Sequence, residues 1–396
     1  MKCGTYGPTP CNTETCRWHA APSLYAAINA RLGAFAVRLT AGPHWKAKAL
    51  VFILSFSLFR AFPNYNFLRA PGVPDTWKNA AIKIANPAAD MTRLFPADLH
   101  ESNLTFRLTV PLIARVFHLG TVGHLALFAV CGVLLLLCTL TLAERITGAR
   151  TVALYVTLAI ACTWPALLAF HQLLGGFYDV VALLLLLFAM AARPPALAAA
   201  AVFAAAWTDE RALPAVALLC VFALAQSERP RCIAVLSGAA AHLGSRIWMV
   251  TAWHLHITMG GAGIATFLRN LHVAPLGVWA GLGGSWILVV CALAILAVRR
   301  RYFEFAGLAL AIALVTAGAL GVEDLTRSMA YALPAVFVAL HVLAKNETPG
   351  TVERITQAAA LVCALLPTWF VQSGDVTWIL PLPVQLIRLF VYPRLG

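Results

Sequence analysis

The residues best able to do acid and base chemistry gather in one polar stretch of an otherwise apolar chain, residues 63–107. The stretch carries the carboxylates Asp75, Asp98 and Glu101 and ends at Arg107. A carboxylate can remove the proton of a hydroxyl group, and a nearby cation can stabilise the negative charge that develops in the reaction. For any one of these acids a solvated loop is the simpler interpretation, but a loop of this length is more often functional.

Composition indicates that these residues belong to a membrane protein. Hydrophobic residues make up 61% of the chain and charged residues only 11%. Runs such as Val122–Ala143 and Ile233–Trp253 can cross a hydrocarbon core of about 30 Å at about 1.5 Å per helical residue. A soluble helical protein would need charged, water-facing sides on these runs, and they hold almost no charges. The predicted fold class is therefore all-α, a polytopic transmembrane helical bundle.

Hydropathy predicts eleven or twelve spans. The eleven are Ala49–Phe62, Thr121–Ala143, Thr151–Phe170, Phe177–Ala192, Ala196–Trp207, Ala212–Gln226, Ile233–Trp253, Leu276–Val298, Phe303–Val322, Tyr331–Ala344 and Gln357–Val371. The twelfth candidate is Trp378–Val391, which two prolines and an arginine interrupt.

Outside these spans, two segments are predicted to lie at the membrane surface. Residues 1–48 form a cytoplasmic tail in which Ser23–Thr40 has the spacing of an amphipathic helix. Residues 49–396 form a single transmembrane domain, and residues 63–120 are its long external loop, of the catalytic type, with an interfacial helix over Leu108–Gly120.

The cysteines predict little chemistry. Cys3, Cys11 and Cys16 lie in the N-terminal tail with a spacing that matches no compact zinc pattern, and their role stays open. The other seven lie in or beside apolar runs, where packing accounts for them.

The net charge of +13 would suggest a nucleic-acid partner in a soluble chain, but loop charge explains it here. With the N-terminus inside, the positive-inside rule holds at every short loop. The basic residues on the inner side are Arg145, Arg150, Arg193, Arg229, Arg231, Arg299–Arg301, Lys345 and Arg354. The acidic residues on the outer side are Asp75, Asp90, Asp98, Glu101, Asp179, Asp209, Glu210, Glu323, Asp324 and Asp375. The predicted partners include membrane lipids and no nucleic acid.

One external turn is predicted to lie at membrane depth. As a helix, Ala196–Trp207 would be only about 18 Å long, so the adjoining Asp209, Glu210 and Arg211 are drawn toward the hydrocarbon. A self-neutralised surface turn is an equally good interpretation of these three residues.

Two other charges need a partner or a water-filled cavity for the same reason. Asp179 heads the short run Val180–Ala192, and Arg246 lies inside Ile233–Trp253. Arg327 forms a cluster with Glu323 and Asp324 at the external end of Phe303–Val322, for which a self-neutralised surface turn is an equally good interpretation.

The arrangement resembles the C-type superfamily of membrane glycosyltransferases: a first span, a long acidic external loop with an interfacial helix, and then many spans with short hairpins. Short strings also resemble bacterial members. They are Phe106-Arg107-Leu108-Thr109-Val110-Pro111, Tyr178-Asp179, Asp209-Glu210-Arg211 before Ala212-Leu213-Pro214, and Arg327 ahead of Ala332-Leu333-Pro334.

The resemblance implies transfer of a sugar from a polyprenyl-phosphate donor to a lipid or cell-envelope glycan acceptor. The general base would be Asp75, Asp98 or Glu101, with Asp75 preferred because it lies nearest the first span. Substrate and phosphate contacts would come from the remaining charged residues, Arg107, Asp179, Asp209, Glu210, Arg211, Arg246 and Arg327. No acidic pair of the DxD type is present, so no cofactor is specified, although a divalent metal remains compatible with such a site.

Abundant alanine and scarce lysine favour a bacterial source, and the predicted location is the inner membrane with the active face toward the periplasm. Two other functions fit the same sequence: a transporter or flippase of a lipid-linked or small polar substrate, and a noncatalytic membrane protein of envelope assembly. A transporter should place polar groups along a path through the bilayer, whereas here they gather on one side.

Overall fold

The computed structural model describes residues 24–61, 75–95, 100–170, 178–255 and 262–391. The N-terminal half contains α1 (Leu24–Thr40), α2 (Trp45–Arg60), α3 (Asp75–Ala85), α4 (Thr109–Val116), α5 (Thr121–Thr147), α6 (Arg150–Ala161), α7 (Trp164–Phe170), α8 (Asp179–Ala191) and α9 (Pro195–Thr208). The C-terminal half contains α10 (Ala212–Ala225), α11 (Arg229–Ala252), α12 (Ile264–Asn270), α13 (Ala274–Leu282), α14 (Trp286–Val298), α15 (Tyr302–Leu320), α16 (Leu325–Met329), α17 (Leu333–Asn346), α18 (Pro349–Leu365) and α19 (Leu382–Val391). One antiparallel hairpin, β1 (Thr368–Gln372) and β2 (Asp375–Ile379), lies between α18 and α19.

The fold is an all-α bundle, as predicted, and its long apolar helices are the architecture of an integral membrane protein. Among the described residues, five continuous helical segments are long and apolar enough to cross a bilayer, and a sixth forms if the bent pair α6–α7 counts as one span. The five are Val122–Thr147, Arg229–Ala252, Ile264–Val298, Tyr302–Leu320 and Leu325–Asn346.

This number is lower than the eleven or twelve spans predicted, because apolar content alone does not fix helix length. Helices α8, α9 and α10 have 13, 14 and 14 residues, or about 20 Å, and a hydrocarbon core needs about 20 residues. Their side chains are largely buried in the protein. The turn between α9 and α10 is therefore held inside the bundle rather than far out in solvent.

The predicted span Thr151–Phe170 is bent rather than straight. Helices α6 and α7 meet at an angle of 63°. Pro165 is the second residue of α7. Proline has no backbone N–H to donate, so it cannot continue the hydrogen bonding of α6, and the helix bends there.

The C-terminal region differs from the prediction. The predicted span Gln357–Val371 ends early, because α18 stops at Leu365 and Pro367 follows. The remainder forms the hairpin, whose two-residue turn Ser373-Gly374 has φ angles of 53° and 88°, as the tight turns of hairpins require. The candidate span Trp378–Val391 is likewise divided between β2 and α19.

Contacts between loops identify the basic end of the bundle. Arg145 donates to the carbonyl of Ala191, and Arg231 donates to the carbonyls of Met190 and Ala192. Lys46 pairs with Glu144 at 2.8 Å. These are the loops that the sequence places on the cytoplasmic side, and the structure brings them together.

Candidate functional site

The turn after α9 is shaped by its own side chains. The Oδ1 atom of Asp209 accepts hydrogen bonds from the backbone N–H of Arg211 at 3.0 Å and from its Nε at 2.8 Å. An aspartate that binds the backbone two residues on is a common way to close such a turn. The sequence Asp-Glu-Arg thus folds locally into a fixed carboxylate–guanidinium pair, and Asp209 is fully buried.

Arg211 connects this turn to the start of α8. Its Nη2 atom lies 2.7 Å from Oδ1 of Asp179, its Nη1 lies 3.4 Å from Oγ of Ser328, and its guanidinium faces the ring of Tyr331 at 5.6 Å. Asp179 is buried in the first turn of α8, where the helix dipole favours a negative charge.

Arg327 contributes a second buried guanidinium from the far end of the chain. Its Nε lies 3.4 Å from Oδ2 of Asp179, and its Nη1 lies 2.7 Å from Oδ2 of Asp324. The side chains of Arg327 and Asp179 are each 1% exposed. A carboxylate at the start of α8 is therefore shared by arginines from two distant hairpins.

The end of the first external loop is fastened beside the same turn. The N–H of Leu108 donates to the carbonyl of Trp207 at 2.8 Å, and Oγ1 of Thr109 donates to the carbonyl of Ala204 at 2.9 Å. Arg107 consequently reaches Oδ2 of Asp209 at 3.5 Å and Oε1 of Glu210 at 3.3 Å.

Arg246 occupies the outer edge of the cluster. Its guanidinium lies 4.2 Å from the ring centroid of Phe106, which is the residue before Arg107. Within the described part of the chain, Arg246 has no carboxylate in ion-pair contact. An aromatic face compensates the positive charge of a guanidinium only partly. Of the arginines in this cluster, Arg246 is therefore the most open to an anionic ligand.

We refer to these side chains as the ion network. It comprises the carboxylates of Asp179, Asp209, Glu210 and Asp324 and the guanidinium groups of Arg107, Arg211, Arg246 and Arg327. The four carboxylates balance the four guanidinium groups in charge.

Electrostatics keep the acids of the network ionised. Burial by itself raises the pKa of Asp209, but the charges of Arg107 and Arg211 outweigh it and the net direction is downward. The pKa of Glu210 is also lowered: burial raises it, but the charges of Arg107 and Arg211 and a backbone hydrogen bond together outweigh burial and the charge of Asp209. Buried ion pairs contribute little net stability, since the cost of removing charges from water cancels the attraction. Such a cluster at one end of a membrane bundle is a functional-site candidate.

All seven residues predicted to contact substrate or phosphate take part in the ion network or lie at its edge. For the three predicted bases, the structure describes only the backbone of two. Asp75 is the first residue of α3, and Glu101 lies in the 3₁₀ segment His100–Phe106 that leads directly to Arg107. Their side chains, and all of Asp98, lie outside the described residues.

A lysine that the sequence did not single out holds the loop in place. Nζ of Lys83 donates to the carbonyls of Pro87, Ala89 and Thr105. Burial lowers the pKa of Lys83 to about 8, although the charge of Asp90 opposes the shift. The hydrogen bond to Thr105 joins α3 to the backbone two residues before Arg107.

Three further network contacts were also missed by sequence reasoning. Asp324 was noted as part of an acidic pair but was not assigned to the site, and Ser328 and Tyr331 were not considered. The Oη of Tyr331 lies 3.4 Å from Oδ1 of Asp179. Tyr331 follows Arg327 by four residues, so helical spacing could have placed both on one face.

The described residues contain no group of three or more His, Cys, Asp and Glu side chains positioned to hold a metal ion. In comparisons with protein-family models, curated proteins and solved structures, no match was found.

Proposed function

We propose that this protein is a membrane-embedded glycosyltransferase that moves a sugar from a polyprenyl-phosphate donor to a lipid or cell-envelope acceptor at the external face of a bacterial inner membrane. The observation that carries the proposal is the convergence of charged residues from five separate parts of the chain into one buried network, located at the end of the bundle opposite the basic loops.

Accessibility divides the network into two layers with different roles. Asp179, Asp209 and Arg327 are almost wholly buried and each contacts at least two other charged groups, so they fix the geometry. Glu210 is 32% exposed and Arg246 has no ion pair in the described part of the chain. These two outer groups would contact the substrate, supported by Arg107 between the layers.

The proposed reaction needs a base and a cationic site. A loop carboxylate, from Asp75, Asp98 or Glu101, takes the proton of the acceptor hydroxyl as its oxygen bonds to the anomeric carbon of the sugar. The bond from that carbon to the donor phosphate breaks, and the bonding electrons leave with the phosphate oxygen. Arg246 and Arg107 stabilise the phosphate as its charge increases.

Sugar transfer tests the proposal directly. Purified protein in vesicles would be incubated with radiolabelled polyprenyl-phosphate sugars, and label in lipid or polymer would be counted. We expect transfer by the wild type and a loss of about 100-fold or more in one of Asp75→Asn, Asp98→Asn and Glu101→Gln, since general-base catalysis is worth about that much. Asp375→Asn is the matched control, because Asp375 is an exposed acid on the hairpin at the same end.

Arg246→Gln separates phosphate binding from structure. We expect it to raise the KM for the donor while the unfolding temperature changes little, because Arg246 has no ion pair to lose within the described residues. Absence of transfer with every donor tried, combined with uptake of a labelled solute into vesicles, would replace the enzyme by a transporter.

A further inference from the structure

A second polar site lies at the external end of α2, away from the residues of the ion network. A narrow crevice there is lined by Arg60, Thr163, Trp279, Gly283, Thr368 and Trp369, among others. The space open to the centre of a water-sized sphere is about 20 Å³, enough for one or two atoms of a ligand to enter.

Arg60 is the charged residue of the crevice. Its Nη1 donates to the carbonyl of Ala364 at 2.9 Å, which caps the end of α18, and its Nη2 donates to Oγ1 of Thr368 at 3.3 Å. Its Nε–H is buried and has no hydrogen-bond partner. No carboxylate in the described part of the chain pairs with Arg60, so its charge is uncompensated there.

Trp369 also lines the crevice and carries a second buried donor. Its carbonyl is occupied by Nε1 of Trp164 at 2.7 Å, and its ring stacks on Trp378 with centroids 6.1 Å apart. Its own Nε1–H is buried without a partner. Two unsatisfied N–H groups beside an uncompensated cation are costly unless something accepts their hydrogen bonds.

We infer that this crevice binds a phosphate oxyanion, with oxygen atoms accepting the Nε–H of Arg60 and the Nε1–H of Trp369. A single water molecule would accept both hydrogen bonds but would leave the guanidinium charge unbalanced. An anionic group supplies both, and Arg60 is the last residue of α2, where the phosphates of a bilayer lie beside helix ends. The phosphate belongs either to a lipid headgroup or to a soluble ester, and the two share this chemistry.

Strand β1 connects the crevice to the helix that carries Arg327. The N–H of Val371 donates to Oγ1 of Thr326 at 2.9 Å, beside Arg327, and Trp369 lies two residues earlier, about 7 Å along β1. The inference does not depend on the proposed activity, because it concerns binding alone.

Ligand-dependent unfolding tests the inference. The full chain would be purified in an uncharged maltoside detergent and a phosphate-free buffer, and its unfolding temperature measured against increasing inorganic phosphate, dioctanoyl phosphatidylglycerol or dioctanoylglycerol. We expect a saturable rise with a phosphate-bearing probe and none with dioctanoylglycerol. A rise with inorganic phosphate identifies a soluble ester as sufficient, and a rise with the phospholipid alone identifies a headgroup.

Two variants locate the effect. Arg60→Lys keeps the charge but removes the Nε–H, and Trp369→Phe keeps a ring but removes the Nε1–H; each should weaken the apparent affinity about tenfold. Arg269→Lys and Trp253→Phe are matched controls from the same end that do not line the crevice. If Arg60→Lys fails to fold, Trp369→Phe carries the test. Wild-type affinity in the crevice variants, or no rise with either phosphate probe, would overturn the inference.

Discussion

Asp209 and Glu210 are neighbours in the chain but occupy different environments. Asp209 is fully buried and contacts Arg107 and Arg211, whereas the side chain of Glu210 is 32% exposed and forms its ion pair with Arg107. Removing one partner from a buried ion pair leaves an uncompensated charge, which costs far more than losing an exposed one. The two acids should therefore respond differently to the same neutral substitution.

We expect Asp209→Asn to lower the free energy of unfolding by about 3–5 kcal/mol, and Glu210→Gln to lower it by no more than about 1 kcal/mol. Unfolding followed by intrinsic tryptophan fluorescence in detergent measures both, with Asp375→Asn as the exposed control. Equal destabilisation by the two substitutions would contradict the layered arrangement of the network.

The pH dependence of this difference follows from the lowered pKa of Asp209. Because the folded-state pKa lies below the unfolded value of about 3.9, the stabilisation is fully present above that value and is lost as the pH falls through the folded-state pKa. The stability difference between wild type and Asp209→Asn should thus stay constant between about pH 5 and pH 8. A difference that shrinks as the pH rises from 6 to 8 would assign Asp209 a raised pKa.

At the scale of elements, the packing of α9 on α11 sets the distance between the Asp-Glu-Arg turn and Arg246. Gly238 makes this contact, since a Cβ atom there would lie 2.3 Å from the carbonyl oxygen of Ala199. Backbone atoms cannot yield as a flexible side chain does, so any added carbon must push the helices apart.

We expect Gly238→Ala to lower the unfolding temperature and also to weaken donor binding, because Arg246 moves away from Phe106. Gly244→Ala on the same helix is the matched control, since nothing lies within 4 Å of its Cβ position and alanine favours a helix. Unfolding temperatures and donor titrations of both variants would check this. Identical behaviour of the two alanine variants would show that the close contact does not position the site.

At the scale of the whole molecule, charge is separated between the two ends of the bundle. Arginines near Ala191, Ala192 and Asn346 donate to helix-end carbonyls at one end, and the ion network and the hairpin lie at the other. The positive-inside rule predicts that the first end faces the cytoplasm.

We expect a cysteine at Thr377 to react with a membrane-impermeant maleimide in intact cells, and a cysteine at Arg193 to react only after permeabilisation. Both positions are exposed in the structure. The background would replace Cys3, Cys11 and Cys16 by serine, and mass-tagged maleimide would report labelling on a gel. Labelling of both positions from the same side would contradict the predicted orientation.

The sequence by itself determined the fold class and the end of the molecule at which charged residues collect. Apolar runs without charges require lipid around them, and the sign of each short loop orients them, so both properties follow from local composition. The short helix before Asp209 also predicted a charged turn at membrane depth, because helix length is a local quantity. The hairpin signal was present as well: Ser373-Gly374 lies between two runs of aromatic and β-branched residues, but its apolar content was assigned to spans.

Only the tertiary structure decided which charges meet. Asp179 and Arg327 are 148 positions apart, and no periodicity relates them; their contact depends on how α8, α10 and α17 pack. Burial is decided the same way, because adjacent residues such as Asp209 and Glu210 differ only in what the surrounding helices cover. The crevice at Arg60 shows this most clearly, since its two unsatisfied donors come from α2 and β1, and a sequence cannot reveal a missing partner.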